Sequence, residues 1–224
     1  PAEGVRLSKI VSLQNNLELA LAAHPIRIEA PIPGKSLVGV EVPNTAKSTV
    51  GLASLLSTNE WASSGRPLLV TLGRNITGNP VYANIGKMPH VLVAGATGSG
   101  KSVTINAIIQ ALLLRNSPDV LRFIMIDPKR VELTLYNGIP HLLSPVITDP
   151  KKAIMALRWA AREMDRRYDI LETEKVRDVD SYHQNVLAPA LKKARGNEET
   201  TELMPYIVIV IDELADIMGT YPRE

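Results

Sequence analysis

Eight consecutive residues, Gly95-Ala96-Thr97-Gly98-Ser99-Gly100-Lys101-Ser102, constrain this chain more than any other stretch of it. They fit the spacing G-x-x-x-x-G-K-[ST]. Glycines at these places let the backbone curl until successive N–H groups point at one spot, the geometry that receives phosphate oxygens. The flanks agree with that reading. His90 to Ala94 reads as an apolar strand running into the loop, and Ile105, Ile108, Ile109 and Leu112 repeat on one face of a helix leaving it. Such a helix turns its positive end toward the same phosphates. Lys101 supplies a mobile cation for the β- and γ-phosphates, and the Ser102 hydroxyl is a ligand for Mg2+. All eight residues are therefore candidate nucleotide-binding positions, and Lys101 is also a candidate catalytic group. A second G-K-S, Gly34-Lys35-Ser36, has Glu29 where the first glycine should stand and no helical pattern after it, so it is set aside.

A second element lies far downstream. Tyr206 to Ile211 is an apolar strand ending in Asp212-Glu213. In an open parallel sheet, ligands sit at the carboxyl ends of the strands. There, Asp212 is expected to hold Mg2+ through its water shell. Glu213 is expected to orient or deprotonate the water that attacks the γ-phosphate. Leu121 to Ile126 is a buried-strand pattern between the two elements. A phosphate loop, an inserted strand and a glutamate beside the metal-binding aspartate are typical of ATP hydrolases of the RecA, AAA+ and ABC kind. The N-K-x-D element of GTPases and the L-S-G-G-Q signature of ABC proteins are both missing. Asp127-Pro128-Lys129-Arg130 ends the inserted strand and should reach the same edge. It reads equally as a contributor near nucleotide or DNA and as a turn with solvated charges.

The remaining chain frames these elements. Its 224 residues carry a net charge of +2 and no cysteine, which excludes disulfides, thiolate metal sites and cysteine nucleophiles. The longest purely apolar run, Ile207 to Ile211, is too short to span a bilayer. Histidines 24, 90, 141 and 183 show no ligand spacing. Pro1 in place of Met, with no charged and apolar leader, reads as an excised segment. The first part has a helix with Ile10, Leu13, Leu17 and Leu21 on one face, capped by Ser8, then strands at Ile26 to Glu29 and Leu37 to Val42. Ser63-Ser64-Gly65-Arg66-Pro67 is the best boundary. Beyond it come strands at Leu68 to Leu72 and Val81 to Ile85. Asp149-Pro150 opens a long helix with Ile154, Leu157, Ala161, Met164, Tyr168 and Leu171 in steps of three and four. Pro145 to Ile147 reads as a strand and Ser181 to Ala194 as a shorter helix. Strands alternating with helices predict an α/β fold with a mostly parallel sheet covered on both faces.

Several longer strings have no explanation in phosphate binding alone. They include Ile26-Arg27-Ile28-Glu29-Ala30-Pro31-Ile32-Pro33-Gly34-Lys35, Val40-Glu41-Val42-Pro43-Asn44, Met88-Pro89-His90-Val91-Leu92-Val93-Ala94-Gly95, Asp127-Pro128-Lys129, Glu132-Leu133, Tyr136, Gly138-Ile139-Pro140-His141-Leu142 and the Trp159, Glu163-Met164, Arg166-Arg167-Tyr168 helix. In these the chain resembles the FtsK/SpoIIIE family of DNA translocases. The resemblance implies a small α/β subdomain over 1–65, followed by a RecA-like P-loop ATPase domain over 66–224 that stops just after the second acidic element. It implies ATP and Mg2+ as cofactors, a homo-hexameric ring and double-stranded DNA as partner. It implies a role in chromosome segregation and cell division. It also implies a parent protein anchored in the cell membrane, with this region on the cytoplasmic face. A related pump for conjugative DNA transfer or protein secretion is the alternative. Asn75 and Asn84 depart from the family, where aspartates are expected. Between residues 151 and 195, Lys and Arg outnumber Asp and Glu by 11 to 7. That suits a DNA-facing groove, but Arg162, Arg166 and Arg167 share a helix with Glu163, Asp165 and Asp169, which suits a salt-bridged face equally well.

Overall fold

A computed structural model describes residues 4–46, 48–193 and 201–220. The chain divides into two units, 1–50 and 51–224.

In the first unit, α1 (Leu7–Val11) and α2 (Gln14–Leu21) replace the single helix expected there. The break falls at Ser12-Leu13, where the Leu13 N–H closes a short turn onto the Ile10 carbonyl at 3.1 Å. Ser8 lies inside α1, and Arg6 occupies the cap without a side-chain hydrogen bond. Two short strands, β1 (Arg27–Glu29) and β2 (Gly39–Glu41), pair antiparallel. Glu18 ties helix to strand: its carboxylate accepts the Ile26 N–H at 2.9 Å and lies 2.9 Å from His24 Nδ1. Lys35 sits in a turn, its N–H bonded to the Ile32 carbonyl, and no helix starts there.

The second unit begins with α3 (Leu52–Leu56) and α4 (Asn59–Ser63). This moves the division upstream of the predicted Ser63–Pro67 boundary, for a packing reason. Leu55 and Trp61 are buried, and Trp61 belongs to the same apolar cluster as Val70, Ile109 and Phe123. Arg115 clamps the segment by donating to the Ser64 and Trp61 carbonyls, each at 2.6 Å, with its guanidinium 4.0 Å above the Trp61 ring.

Next come β3 (Leu69–Arg74) and β4 (Pro80–Asn84), an antiparallel hairpin. The two departures from the family pattern fall here, and both asparagines work through their carbonyl oxygens. Asn75 Oδ1 accepts from the Thr77 and Asn79 N–H groups, and Asn84 Oδ1 from the Gly86 N–H. An aspartate would accept the same bonds.

The core is built on α5 (Lys101–Arg115), β5 (Leu121–Ile126), α6 (Pro150–Thr173), α7 (Val179–Tyr182), α8 (Ala188–Lys193), β6 (Tyr206–Ile211) and α9 (Leu214–Thr220). β5 and β6 pair in parallel from Leu121↔Tyr206 to Ile126↔Ile211. Strand side chains alternate between faces, and here both faces are covered. Leu121, Phe123 and Met125 cluster with Ile105, Ile109 and Leu112 of α5. Ile124 and Ile126 cluster with Ala153 of α6 and Ile217 of α9. Two-sided burial explains why β5 is apolar at every position but Arg122, which is half-buried and donates to the Pro140 carbonyl at 2.7 Å. The β5–β6 sheet is parallel as expected, whereas the β3–β4 hairpin forms a separate antiparallel sheet.

Two expected strands do not form. Residues 90–94 lie outside any strand, with Val91 51% and Leu92 83% exposed. A strand needs a ladder partner. One edge of β5 is taken by β6. The other is taken by residues 141–147, which add only isolated bridges at Phe123↔Leu142 and Ile126↔Ile147. Pro145 to Ile147 is therefore a flanking bridge, and 90–94 has no partner among the described strands.

α6 starts as the sequence predicts: Asp149 accepts the Lys151 and Lys152 N–H groups, with Pro150 in the first turn. Its apolar stripe is only half used. Ala153 is fully buried, whereas Met164 is 51% and Tyr168 58% exposed. The 24-residue helix is roughly 36 Å long. The six-residue strands reach only about 20 Å, so the helix overhangs them. Its far end is held by Leu171, which clusters with Tyr182 and Met204. The predicted helix at Ser181 begins slightly earlier as α7 and continues through a π-helical stretch, His183–Leu187, into α8. Its last expected residue, Ala194, lies outside the described residues. No helix among the described residues is long and apolar enough to cross a membrane.

Candidate active site

The glycine-rich loop forms where the motif predicts. Gly98 and Gly100 take positive φ angles of 80° and 99°, which L-residues with a side chain rarely adopt. Ser99 donates its N–H to the Ala96 carbonyl at 3.0 Å, closing a turn. A Cβ on Gly95 would lie 2.2 Å from Ser99 Oγ, so the cradle has room for glycine there. Gly100 caps α5, which puts Lys101 and Ser102 in its first turn.

The parallel pairing brings the two distant carboxylates together. Because Ile126 faces Ile211, Asp127 and Asp212 leave the sheet side by side, and the Asp212 N–H donates to the Ile126 carbonyl at 3.0 Å. Their environments differ sharply. Asp127 is fully buried yet well satisfied: Oδ1 accepts the Arg130 N–H at 2.8 Å, and Oδ2 accepts those of Glu132 and Leu133 at 3.0 and 2.9 Å. Burial pushes its carboxyl up, but the backbone donors of the 130–133 turn together outweigh it and leave the group below its ordinary range. Asp212 is also buried, and its Oδ1 has no partner among the described residues. Burial pushes its carboxyl up, Lys101 pulls it down, and Asp127, Glu132 and Glu213 push it up again, for a net rise.

Glu213 is held low, first by Lys101, then by Lys129 and the Ala215 N–H. Its Oε2 lies 3.6 Å from Lys101 Nζ and 3.6 Å from Lys129 Nζ, and Lys129 also reaches Asp216 at 3.6 Å. Ser102 Oγ donates to Glu132 Oε1 at 2.7 Å. The structure thus gathers Lys101, Ser102, Asp212 and Glu213 at one edge of the sheet, as the spacing predicts. It adds Lys129 and Glu132, which no motif spacing singles out. The available signal was the Asp127-Pro128-Lys129-Arg130 string at a strand end. Asp127 is buried and Lys129 reaches Glu213, so the string is more than a turn of solvated charges.

The donor set suits a divalent cation bound with a nucleotide. The Asp212 Oδ1, buried and without a partner among the described residues, feels Lys101 and three further carboxylates, and one of these, Glu132, accepts the Ser102 hydroxyl hydrogen bond. No group of three or more His, Asp or Glu side chains able to hold a metal by themselves occurs among the described residues. Phosphate oxygens would have to complete such a site.

Two of the arginines on α6 are engaged in ion pairs. Arg166 and Arg167 both pair with Glu163, at 2.8 and 2.7 Å. Arg166 also pairs with Glu202, and Arg167 donates to the Pro205 carbonyl. The salt-bridged reading therefore holds for these two residues.

Comparison with known proteins places this geometry. Residues 51–224 match the FtsK/SpoIIIE family, and residues 1–44 match the FtsK alpha domain. The chain is 50% identical to a DNA translocase FtsK of Lactiplantibacillus plantarum over 97% of its own length. It is 51% identical to the DNA translocase SpoIIIE of Bacillus subtilis over 97%, and 47% to an FtsK of Mycobacterium tuberculosis over 99%. It spans 27% of the length of each of these relatives. Among solved structures, it resembles the pCW3 conjugation coupling protein TcpA, with a TM-score of 0.55 and 22% identity over 98% of this chain and 55% of that one. It also resembles the cytoplasmic domain of the type VII secretion ATPase EccC of Thermomonospora curvata, with a TM-score of 0.50 and 27% identity over 79% of this chain and 22% of that one. The fold is the mixed α/β architecture of P-loop ATPases.

Proposed function

The chain belongs to the FtsK/SpoIIIE family, and from that premise we propose that it is the nucleotide-binding segment of an ATP-driven motor for double-stranded DNA. The observation that carries the proposal is the convergence of Lys101, Ser102, Asp212 and Glu213 at one sheet edge, beside a loop shaped for phosphate. Gly95, Ala96, Thr97, Gly98, Ser99 and Gly100 form the cradle that receives the phosphates, through the N–H groups that its own turn leaves free, and Lys101 places its ammonium on the β- and γ-oxygens. Ser102 and Asp212 would hold Mg2+, which neutralises charge on those oxygens when bound. Glu213 carries a carboxylate held below its ordinary range, so it is ionised at neutral pH. Such a group orients a water for attack more readily than it strips a proton from it.

The whole motor is a homo-hexameric ring, contacts DNA chiefly through phosphates, and serves chromosome segregation at division. It is anchored in the cell membrane by a region outside this chain, with the ATPase on the cytoplasmic side. The test is ATP hydrolysis by the full-length protein with and without double-stranded DNA. Hydrolysis should rise with DNA and vanish in Lys101→Ala; unchanged hydrolysis in a pure Lys101→Ala preparation refutes the site. Glu213→Gln should still bind nucleotide but not turn it over, and normal turnover removes Glu213 from the mechanism. The second reading, a conjugation or secretion pump, is favoured by the nature of the two solved structures. Hydrolysis indifferent to DNA but stimulated by a protein substrate would select its secretion form.

A further inference from the structure

We propose that Glu132 is a positioning residue for the Mg2+ that accompanies the nucleotide: its carboxylate accepts the hydrogen bond of the Ser102 hydroxyl, so that the lone pairs of that oxygen face the ion. The proposal rests on the reading of the loop as an ATP site. A serine hydroxyl has one proton and two lone pairs. It can serve as a cation ligand only when the proton points elsewhere. Here the hydroxyl hydrogen points at Glu132 Oε1, with the two oxygens 2.7 Å apart. It does not go to Asp212, whose buried Oδ1 keeps its lone pairs unshared among the described residues.

Glu132 is held in place for this task. Its own N–H donates to Asp127 Oδ2 at 3.0 Å, and Asp127 in turn is fixed beside Asp212 by the strand register. Ser102 is steadied from the helix side as well. Its carbonyl accepts from Asn106 Nδ2 at 2.9 Å, and Asn106 Oδ1 accepts the Tyr136 hydroxyl at 2.6 Å. Two ends of the chain segment 102–136 are thereby latched across the site. Glu132 also adds negative potential at Asp212, which a cation would relieve.

Partners that orient a metal ligand typically carry about 10- to 100-fold of metal affinity. The test is the Mg2+ dependence of binding of a fluorescent ATP analogue by the full-length protein. It compares wild type with Glu132→Ala, Glu132→Asp and Glu132→Gln, each also measured with Mg2+ chelated. Glu132→Ala should need about 10- to 100-fold more Mg2+ to reach its half-maximal effect, with affinity in chelator unchanged. Glu132→Asp withdraws the oxygen by one methylene but keeps the charge, and should be impaired. Glu132→Gln loses the charge but keeps a carbonyl acceptor, and should recover most of the wild-type response. The reverse ranking of Asp and Gln would mean that charge alone matters and would overturn the proposal. So would a wild-type midpoint in Glu132→Ala, or an equal loss of affinity in chelator, which marks mere support of the loop. A wild-type protein whose analogue binding ignores Mg2+ would instead refute the ATP-site reading itself.

Discussion

Asp127→Asn is the most informative single change, because one carboxylate shapes the whole turn that carries Lys129 and Glu132. The carboxylate receives three N–H groups, one on Oδ1 and two on Oδ2. Asparagine offers one carbonyl oxygen and one NH2. Its best placement turns the oxygen to Glu132 and Leu133 and sets the NH2 against the Arg130 N–H. Two bonds then lose their charge, at about 1 kcal/mol each, and the third is lost outright, at about 1.5–3 kcal/mol. Relief from burying a full charge offsets part of this, so a net destabilisation of about 2–4 kcal/mol is expected. Urea unfolding followed by tryptophan fluorescence at neutral pH reads it, since Trp61 is buried in the same unit. The pH dependence gives a second check. The Asp127 carboxyl is lowered on folding, so its contribution is complete above the ordinary value of 3.8 and is lost as the pH falls through the folded value. The gap between wild type and Asp127→Asn should therefore close below about pH 4. A variant within about 0.5 kcal/mol of wild type at neutral pH, or a gap that widens in acid, would refute this account of the turn.

Two further outcomes follow from the same geometry. Gly100→Ala should lower stability by about 1–2 kcal/mol, read by thermal unfolding. The new Cβ meets nothing within 4 Å, so the cost is that of holding alanine at a φ of 99°, and an unchanged melting temperature contradicts it. Glu163 has its carboxyl pushed down to about 2, first by the Arg166 hydrogen bonds, against burial, and then by Arg167. Glu163→Gln should cost on the order of 2 kcal/mol at neutral pH. The wild-type advantage should hold above pH 4.5 and fade as pH drops toward 2, and calorimetry at pH 7 and pH 3 distinguishes this from a pH-independent loss.

What the sequence reveals about the site depends on how local its causes are. Gly95 to Ser102 is contiguous, and its glycines are demanded by backbone angles, so its shape is legible residue by residue. β5 and β6 are nearly as legible, because cover on both faces leaves apolar runs interrupted only by Arg122, and Asp149-Pro150 announces α6 by its own chemistry. The errors lie where a distant partner decides. Val91 and Leu92 have strand-like side chains but no ladder beside them. Met164 and Tyr168 continue a helical stripe past the end of the strands it covers. Leu55 and Trp61 belong to the second unit because α5 and β3 receive them, which no turn signal upstream of Pro67 encodes. Glu132 reaches Ser102 across 30 residues of chain, and only the turn held by Asp127 brings it there.

The register between β5 and β6 also sets an order of assembly. Leu121 and Tyr206 are neighbours in space but 85 positions apart along the chain. Each doubling of the loop that must close adds about 0.6 kcal/mol of entropy cost, and long-range parallel pairing is slow for that reason. The phosphate loop, α5, β5 and the turn anchored by Asp127 need only short closures. The strand bearing Asp212 and Glu213 is joined through the longest one. The half that grips phosphate is thus expected to form first, with the acidic pair that completes the chemistry arriving last, an order that pulse-labelled amide exchange would read.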